Sequence, residues 1–167
     1  MSNPDSTKGT LFKKTLNAKA IKYRNCPPEE LVISNCLKQI SKEISDDENI
    51  ILIGSSLGGF LAAKTALNHS VKKLILLNPA MIPADYDISK IKDMPRKITK
   101  DMQDEKLFTQ KINSDITIFV GTKDTVVPNR WPIEFAKAQE AKIQFLNDDH
   151  SLSYYVNQLP IFIKNII

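Results

Sequence analysis

Cysteine is scarce in this sequence, and no apolar run is long enough to cross a membrane. The two cysteines among 167 residues, Cys26 and Cys36, match neither a disulfide framework nor a zinc-binding spacing. Free thiols in a reducing compartment are the simplest interpretation, so we expect a cytoplasmic protein. Apolar runs such as 50-IILIG-54 and 74-LILL-77 are far shorter than a membrane span, and no charged-then-apolar leader opens the chain. We expect no membrane partner.

The sequence also has no strong excess of charge of one sign. Lys and Arg total 23 against 19 Asp and Glu, so the formal net charge is only +4. The lysines are scattered, whereas a nucleic-acid-binding protein more often gathers them on one stripe with aromatic side chains between them. A solvated surface of mixed charge is the simpler interpretation, and we expect no nucleic-acid partner.

Strands and helices are predicted to alternate along the chain. Strands are predicted at 50–54, 73–78, 115–121 and 142–147, and the first of them, 50-IILIG-54, is apolar on both faces, which is typical of a parallel strand that helices cover on both sides. Apolar spacing and turn residues predict a further strand at 19–23 and helices at 8–18, 28–45, 57–68, 131–139 and 152–166. Residues 80–113 carry no strand pattern and are too long for an ordinary connection. We expect one α/β domain over residues 1–167, with a mostly parallel sheet, helices on both faces and a small helical cap or lid at about 80–113.

A serine flanked by glycines follows the apolar strand 50–54. The segment 54-GSSLG-58 matches G-x-S-x-G, in which a tight turn from strand to helix leaves the hydroxyl of the central serine exposed. The helix N terminus and the Leu57 N–H would stabilise a developing oxyanion. The motif alone is weak evidence, but a buried strand precedes it and an alanine-rich helix follows it. We predict Ser56 as a nucleophile; the alternatives are an ordinary β–α turn or a phosphate-binding loop, although the Walker lysine is missing.

Only two histidines could serve as the base that a serine nucleophile needs. His69 lies at the far end of the helix that follows Ser56, about 20 Å away by helix rise, so we interpret it as a surface histidine. His150 follows the last predicted strand and therefore lies at the carboxyl edge, where open α/β sheets place their ligands. A loop histidine that caps the last helix is the alternative interpretation of His150.

The acid of a Ser-Asp-His triad should follow another strand, between the serine and the histidine in sequence. Asp124 satisfies both conditions, and its carboxylate would hold the His150 tautomer and stabilise the imidazolium. The alternative is an aspartate that stabilises its own turn. Asp148 and Asp149 are competing carboxylates, although sequence neighbours of the histidine are badly placed to reach its far nitrogen. We predict a triad of Ser56, Asp124 and His150.

These motifs resemble those of the small YqiA-like esterases of the α/β-hydrolase superfamily. The resemblance covers nearly the whole chain and is carried by 2-SNPDSTKG-9, 54-GSSLGGF-60, 77-LNPA-80, 120-VGTKDTVVP-128 and 148-DDHS-151. It implies an α/β-hydrolase fold, the same triad and the Leu57 N–H as one oxyanion donor. The implied reaction is acyl transfer from a small-molecule carboxylic ester or thioester to water. It requires neither a metal nor an organic cofactor.

The chain departs from the family pattern at its start. Such proteins usually begin with a short apolar strand and a His-Gly-Phe turn directly before the segment that here reads 2-SNPDSTKG-9. That strand would lie beside the nucleophile strand, and its loop would give a second oxyanion donor, whose loss typically costs about 10²–10³ in turnover. We hypothesise that translation begins upstream, which a stop codon immediately before Met1 would contradict; a sheet rearrangement or another chain's strand are the alternatives.

Two other functions use the same residues. The first is a partner-binding protein with an α/β-hydrolase fold and an impaired triad, and the second is an acyltransferase. In a hydrolase, the cap side chains that could line the acyl pocket are Met81, Ile82, Ile91, Met94 and Phe108. Packing of the cap against the core explains these side chains at least as well.

Overall fold

A parallel four-stranded sheet forms the centre of the computed structural model, which describes residues 6–44 and 49–167. Its strands lie in the order in which they occur in the chain: β1 (Ile51–Ser55), β2 (Lys73–Leu77), β3 (Asp115–Gly121) and β4 (Lys142–Leu146). All three pairings are parallel. Leu77 pairs with both Ser55 and Phe119, and Gly121 pairs with Leu146, so the carboxyl ends of the strands meet at one edge.

Seven α-helices surround the sheet in the described ranges. They are α1 (Thr7–Leu16), α2 (Ile33–Ile44), α3 (Leu57–Ala66), α4 (Arg96–Met102), α5 (Lys106–Thr109), α6 (Arg130–Gln139) and α7 (Leu159–Lys164). Helix α1 begins where the Ser6 side chain accepts a hydrogen bond from the Gly9 N–H. Helix α3 is buried over most of its surface, which its small residues allow. The alternating order and the parallel sheet confirm the predicted α/β-hydrolase-type fold.

Two apolar cores lie on opposite faces of the sheet. The alternation of β2 shows this directly, because Leu74 and Leu76 belong to one core and Ile75 and Leu77 to the other. Helices α2, α3 and α6 cover the first core, and α1 and α7 cover the second. Each fully buried aliphatic side chain contributes about 1.5–3 kcal/mol, so the sheet is a rigid support for the residues at its carboxyl edge.

Three predicted elements differ from the structure. The helix predicted over 28–45 begins only at Ile33, because Pro28–Glu30 form a separate 3₁₀ turn that ends at the extended Leu31. Residues 19–23, predicted as a strand, are irregular; Lys19 instead pairs with Glu43 of α2. The last helix begins at Leu159 rather than at about 152. Leu152 has a φ of 53°, and the Asp148 carboxylate accepts hydrogen bonds from the backbone N–H groups of Tyr154 and Tyr155. The segment therefore forms turns before the helix starts. The predicted helix end near residue 45 lies outside the described residues, as do positions 2–5 of the opening motif.

Strand β1 lies at the edge of the sheet, with no strand paired to its outer side in the part of the chain that the structure describes. A groove of about 360 Å³ runs along this side. Mainly apolar side chains from α1, α2, α3 and residues 18–23 line it. The resemblance predicts a further strand beside β1, and the groove lies at this position.

Residues 80–113 leave the carboxyl edge after β2 and pack against α6. The Tyr86 ring meets the Trp131 ring edge to face, with centroids 4.9 Å apart. Met81 and Ile82 are fully buried in the first core, and Ile91, Met94 and Phe108 pack against it half-buried. Core packing therefore accounts for these five side chains, and none of them lines the groove beside β1. No helix within residues 6–44 or 49–167 has the length and apolarity that a membrane crossing requires.

Candidate active site

Ser56 occupies a strained turn between β1 and α3. Its φ of 54° and ψ of −122° are unusual for a residue with a side chain, and such strain is typical of functional turns. The turn is fixed by its backbone, because the Ser56 N–H donates to the Leu77 carbonyl at 3.0 Å and the Ser56 carbonyl accepts the Gly59 N–H at 2.9 Å. A Cβ at Gly54 would collide with the Gly58 carbonyl, which is why the turn needs a glycine there.

The Leu57 N–H lies at the start of α3. A donor in the first turn of a helix has no intrahelical acceptor. Among the backbone hydrogen bonds found outside helices and strands in the described chain, none has the Leu57 N–H as donor. This group and the positive end of the helix dipole are therefore available to stabilise negative charge on a bound group.

Asp124 and His150 form a direct pair at the same edge of the sheet. Asp124 Oδ2 lies 2.7 Å from His150 Nδ1, and the exposed fraction of the side chain is 1% for Asp124 and 22% for His150. Asp124 Oδ1 accepts the backbone N–H groups of Val126 at 2.8 Å and Val127 at 2.9 Å. Asp124 thus stabilises its own turn with one oxygen and holds the histidine with the other.

The two competing carboxylates have other partners. Buried Asp148 accepts the N–H groups of Asp149, Tyr154 and Tyr155, which shapes the loop after β4. Exposed Asp149 bonds to Ser153, and the hydrogen bond from the Ser153 backbone N–H lowers the pKa of Asp149 below its usual range. Of the three carboxylates near the histidine, Asp124 is the one that hydrogen-bonds to its ring.

The structure does not bring the serine and the histidine into hydrogen-bond contact. In the described residues, no hydrogen bond joins the Ser56 hydroxyl to His150. Such contacts are often long before a substrate binds and tighten in the complex. His69 is half-buried, and its Nε2 lies 2.9 Å from Ser41 Oγ on α2, so it contacts a different serine.

Two residues that the sequence reasoning did not assign also contact the histidine loop. Asn78, inside the quoted 77-LNPA-80 motif, donates through Nδ2 to the carbonyls of Asp149 at 3.1 Å and His150 at 2.9 Å. Lys8, inside the opening motif, donates through Nζ to the Ser151 carbonyl at 2.7 Å. A polar residue directly after a buried strand was the available signal for Asn78.

No metal site is apparent at this edge. Across residues 6–44 and 49–167, no group of three or more His, Cys, Asp or Glu side chains could hold a metal ion. A half-buried serine in a strained turn, a helix-start N–H and an aspartate-bound imidazole are groups that can together transfer a proton and stabilise an oxyanion.

Solved structures of other proteins share this fold. A candidate hydrolase of the α/β superfamily from Xanthomonas campestris has 19% sequence identity and a TM-score of 0.69, with 99% of this chain and 94% of that chain covered. Alpha/beta hydrolase domain-containing protein 10 from mouse has 18% identity and a TM-score of 0.68, with 99% and 87% covered. Est1E from Butyrivibrio proteoclasticus has 16% identity and a TM-score of 0.74, with 99% and 82% covered.

At these identities the likeness shows a common fold. Among curated proteins, none matches this sequence. A family model does match, over nearly the whole chain and including all the residues of the site. It covers residues 1–164, and this protein therefore belongs to the uncharacterised protein family UPF0227, the YqiA-like family.

Proposed function

We propose that this protein is a serine hydrolase that cleaves a carboxylic ester or thioester of a small molecule. The observation that carries the proposal is the 2.7 Å contact between Asp124 Oδ2 and His150 Nδ1 at the edge where the strained turn presents Ser56. A buried aspartate that orients an imidazole, at the same sheet edge as a serine in a strained turn, supports the assignment of a catalytic triad. The names of the structural neighbours, hydrolases and an esterase, support the same reaction class.

The proposed reaction begins with proton transfer from the Ser56 hydroxyl to His150 Nε2, while Asp124 accepts the Nδ1–H bond and stabilises the imidazolium. The Ser56 oxygen bonds to the carbonyl carbon, and the Leu57 N–H donates to the oxyanion. His150 then gives its proton to the departing alcohol or thiol, which leaves an acyl group on Ser56. Water, which gives a proton to His150, attacks this acyl group. The bond between the acyl carbon and the Ser56 oxygen then breaks, His150 returns the proton to that oxygen, and the carboxylic acid is released.

Residues 80–113 form the proposed cap over this edge. Their position supports the assignment, because the Ala80 N–H donates to the Ser56 carbonyl at 3.2 Å and the Tyr86 ring contacts Trp131, shortly after the Asp124 turn. The cap would thus be anchored beside both the nucleophile and the acid. We also propose a cytoplasmic location, which the unpaired Cys26 and Cys36 favour.

A fluorophosphonate probe tests the proposal directly, because it reacts with a serine only when a base activates it. The purified 167-residue chain and the Ser56→Ala variant are treated with the probe, and the intact masses are measured. Ser55→Ala is the matched control, since Ser55 is the neighbouring serine and its side chain lies beside the groove at β1. We expect one adduct on the native chain and on Ser55→Ala, and none on Ser56→Ala.

Hydrolysis of p-nitrophenyl butyrate and of a short acyl thioester would then define the leaving group. The proposal fails if the folded native chain is not labelled and hydrolyses neither compound, or if Ser56→Ala is labelled as fast as the native chain. The first result would favour the partner-binding alternative.

A further inference from the structure

The order of the strands separates the proposed nucleophile from the proposed base. Ser56 follows β1 and His150 follows β4, at the two ends of the four-stranded sheet. Neighbouring strands lie about 4.8 Å apart, so three steps across the sheet amount to about 14 Å. An imidazole side chain cannot span this distance. The loop after β4 must therefore fold back over the ends of β3 and β2.

Asn78 contacts this loop where it crosses the sheet. It follows β2, and its side chain reaches across the end of β3: Oδ1 accepts the Gly121 N–H at 2.7 Å. Its Nδ2 donates to the carbonyls of Asp149 and His150. The backbone of the proposed base is thereby held beside the end of β2, one strand from Ser56.

The surroundings of Asn78 make this contact rigid. The residue is 1% exposed, and its own N–H donates to the Phe119 carbonyl at 2.9 Å. Its φ of 43° is a conformation that asparagine and aspartate adopt more readily than other residues with side chains. The loop also passes closely over Gly121, where a Cβ would lie 2.5 Å from the Asp149 carbonyl oxygen. Backbone and side chain of Asn78 thus tie together the ends of β2, β3 and β4.

We propose that Asn78 is a positioning residue, which holds His150 over the end of β2 so that its imidazole can serve Ser56 while bound to Asp124. This inference rests on the proposed hydrolase function. Asn78 would affect the reaction by fixing the position of His150, and it would not contact the substrate. Loss of its two donated hydrogen bonds should let the loop move away from Ser56.

Asn78→Asp is the most conservative test. It keeps the size, the acceptor to the Gly121 N–H and the tolerance for positive φ, but it places an oxygen against the carbonyls of Asp149 and His150. Asn78→Ser, which cannot span the three partners, serves as a second variant if Asn78→Asp does not fold.

Gln139 provides a matched control near the amino ends of β3 and β4, away from the carboxyl ends where the proposed triad lies. Its buried amide makes the same set of contacts: Oε1 accepts the Ile112 N–H, and Nε2 donates to the carbonyls of Leu107 and Gln110. Gln139→Glu therefore loses the same kinds of hydrogen bond, far from the proposed triad. A comparison of the two variants separates positioning from general stability.

Three measurements are made on each variant. Hydrolysis of p-nitrophenyl butyrate gives kcat and KM, urea unfolding gives stability, and proton NMR detects the low-field signal of the His150 Nδ1–H bonded to Asp124. We expect Asn78→Asp to lower kcat at least about 30-fold with KM within about threefold, and to lose the low-field signal. We expect Gln139→Glu to be destabilised similarly but to keep kcat within about twofold and to keep the signal.

The positioning role is overturned if folded Asn78→Asp, or Asn78→Ser in its place, keeps both the native kcat and the low-field signal. It is also overturned if Gln139→Glu lowers kcat and weakens the signal equally. If the native chain hydrolyses nothing, the proposed function fails separately. The NMR comparison then decides alone: loss of the signal in the Asn78 variant supports its hold on His150, and retention overturns it.

Discussion

Lys8 Nζ donates a hydrogen bond to the Ser151 carbonyl at 2.7 Å, which joins α1 to the loop of the proposed base. Burial lowers the pKa of Lys8 below its ordinary value of 10.5, and the charges of Asp149, Asp148 and Asp124 oppose this effect. Because the pKa is lowered overall, the folded protein releases the Lys8 proton at a lower pH than the unfolded chain. Between these two pKa values the unfolded chain binds more protons, so the free energy of unfolding rises with pH.

Lys8→Met should remove this pH-dependent gain in stability. As the pH is raised through the range just below 10.5, we expect the native chain to gain more stability than Lys8→Met. At pH values where Lys8 is protonated in both the folded and the unfolded chain, the two proteins should show the same pH dependence of stability. Urea unfolding at a series of pH values measures the difference. Lys14→Met, an exposed lysine of the same helix, is the control and should follow the native chain. If stability depends on pH equally in all three proteins, the pKa of Lys8 is not lowered by folding.

Asp124→Asn should separate the turn role of Asp124 from its proposed catalytic role. The amide oxygen can still accept the N–H groups of Val126 and Val127, so the loop should fold. The amide NH₂ facing His150 favours the wrong imidazole tautomer, and comparable changes lower kcat about 10⁴-fold. Steady-state hydrolysis and the rate of fluorophosphonate labelling measure the effect. A variant that unfolds at the native urea concentration but retains more than about a tenth of native kcat would contradict the role of Asp124.

The alternation of elements could be predicted because it depends on local pattern. β3 and the first turn of α3 lie where the apolar run and the G-x-S-x-G motif predict them, because both patterns depend only on residues that are neighbours in sequence. The candidate site was predicted from the order of Ser56, Asp124 and His150 along the chain and from the resemblance, and the structure adds the 2.7 Å contact between Asp124 and His150. That contact depends on the register of β3 and β4, which no single segment of sequence contains.

The features that were missed depend on single side-chain contacts rather than on a repeated pattern. The segment before α7 has the apolar spacing of a helix, but the Asp148 carboxylate accepts hydrogen bonds from the N–H groups of Tyr154 and Tyr155. These bonds stabilise turns in place of a helix. Asn78 contacts the His150 carbonyl 72 residues further along the chain. Such contacts leave no periodicity, so propensity and pattern cannot reveal them.

Gly121→Ala should displace the loop that carries His150. The added methyl would lie 2.5 Å from the Asp149 carbonyl and 2.7 Å from the Asp148 carbonyl, and both are backbone atoms that cannot rotate away. Overpacking of this kind typically costs about 1–3 kcal/mol, and we expect probe labelling of Ser56 to slow at least about tenfold. Urea unfolding and the labelling time course measure the two effects. Thr122→Ala, at the exposed neighbouring position, should change neither; native labelling by Gly121→Ala would show that the loop position is not needed.

The two histidines offer a test of what makes a serine reactive in this protein. His69 Nε2 lies 2.9 Å from Ser41 Oγ, whereas no hydrogen bond of the Ser56 hydroxyl is found in the described chain, so proximity to a histidine alone would favour Ser41 as the reactive residue. Ser41 lies inside α2 rather than in a strained turn at a helix start, and no hydrogen bond found in the described chain joins His69 to a carboxylate. We therefore expect His69→Gln to keep native probe labelling and His150→Gln to lower its rate at least about 10³-fold, with any adduct located on Ser56 by peptide mass spectrometry. Labelling of Ser41, or equal losses in the two variants, would mean that a nearby imidazole is sufficient and that the aspartate and the strained turn are not the source of reactivity.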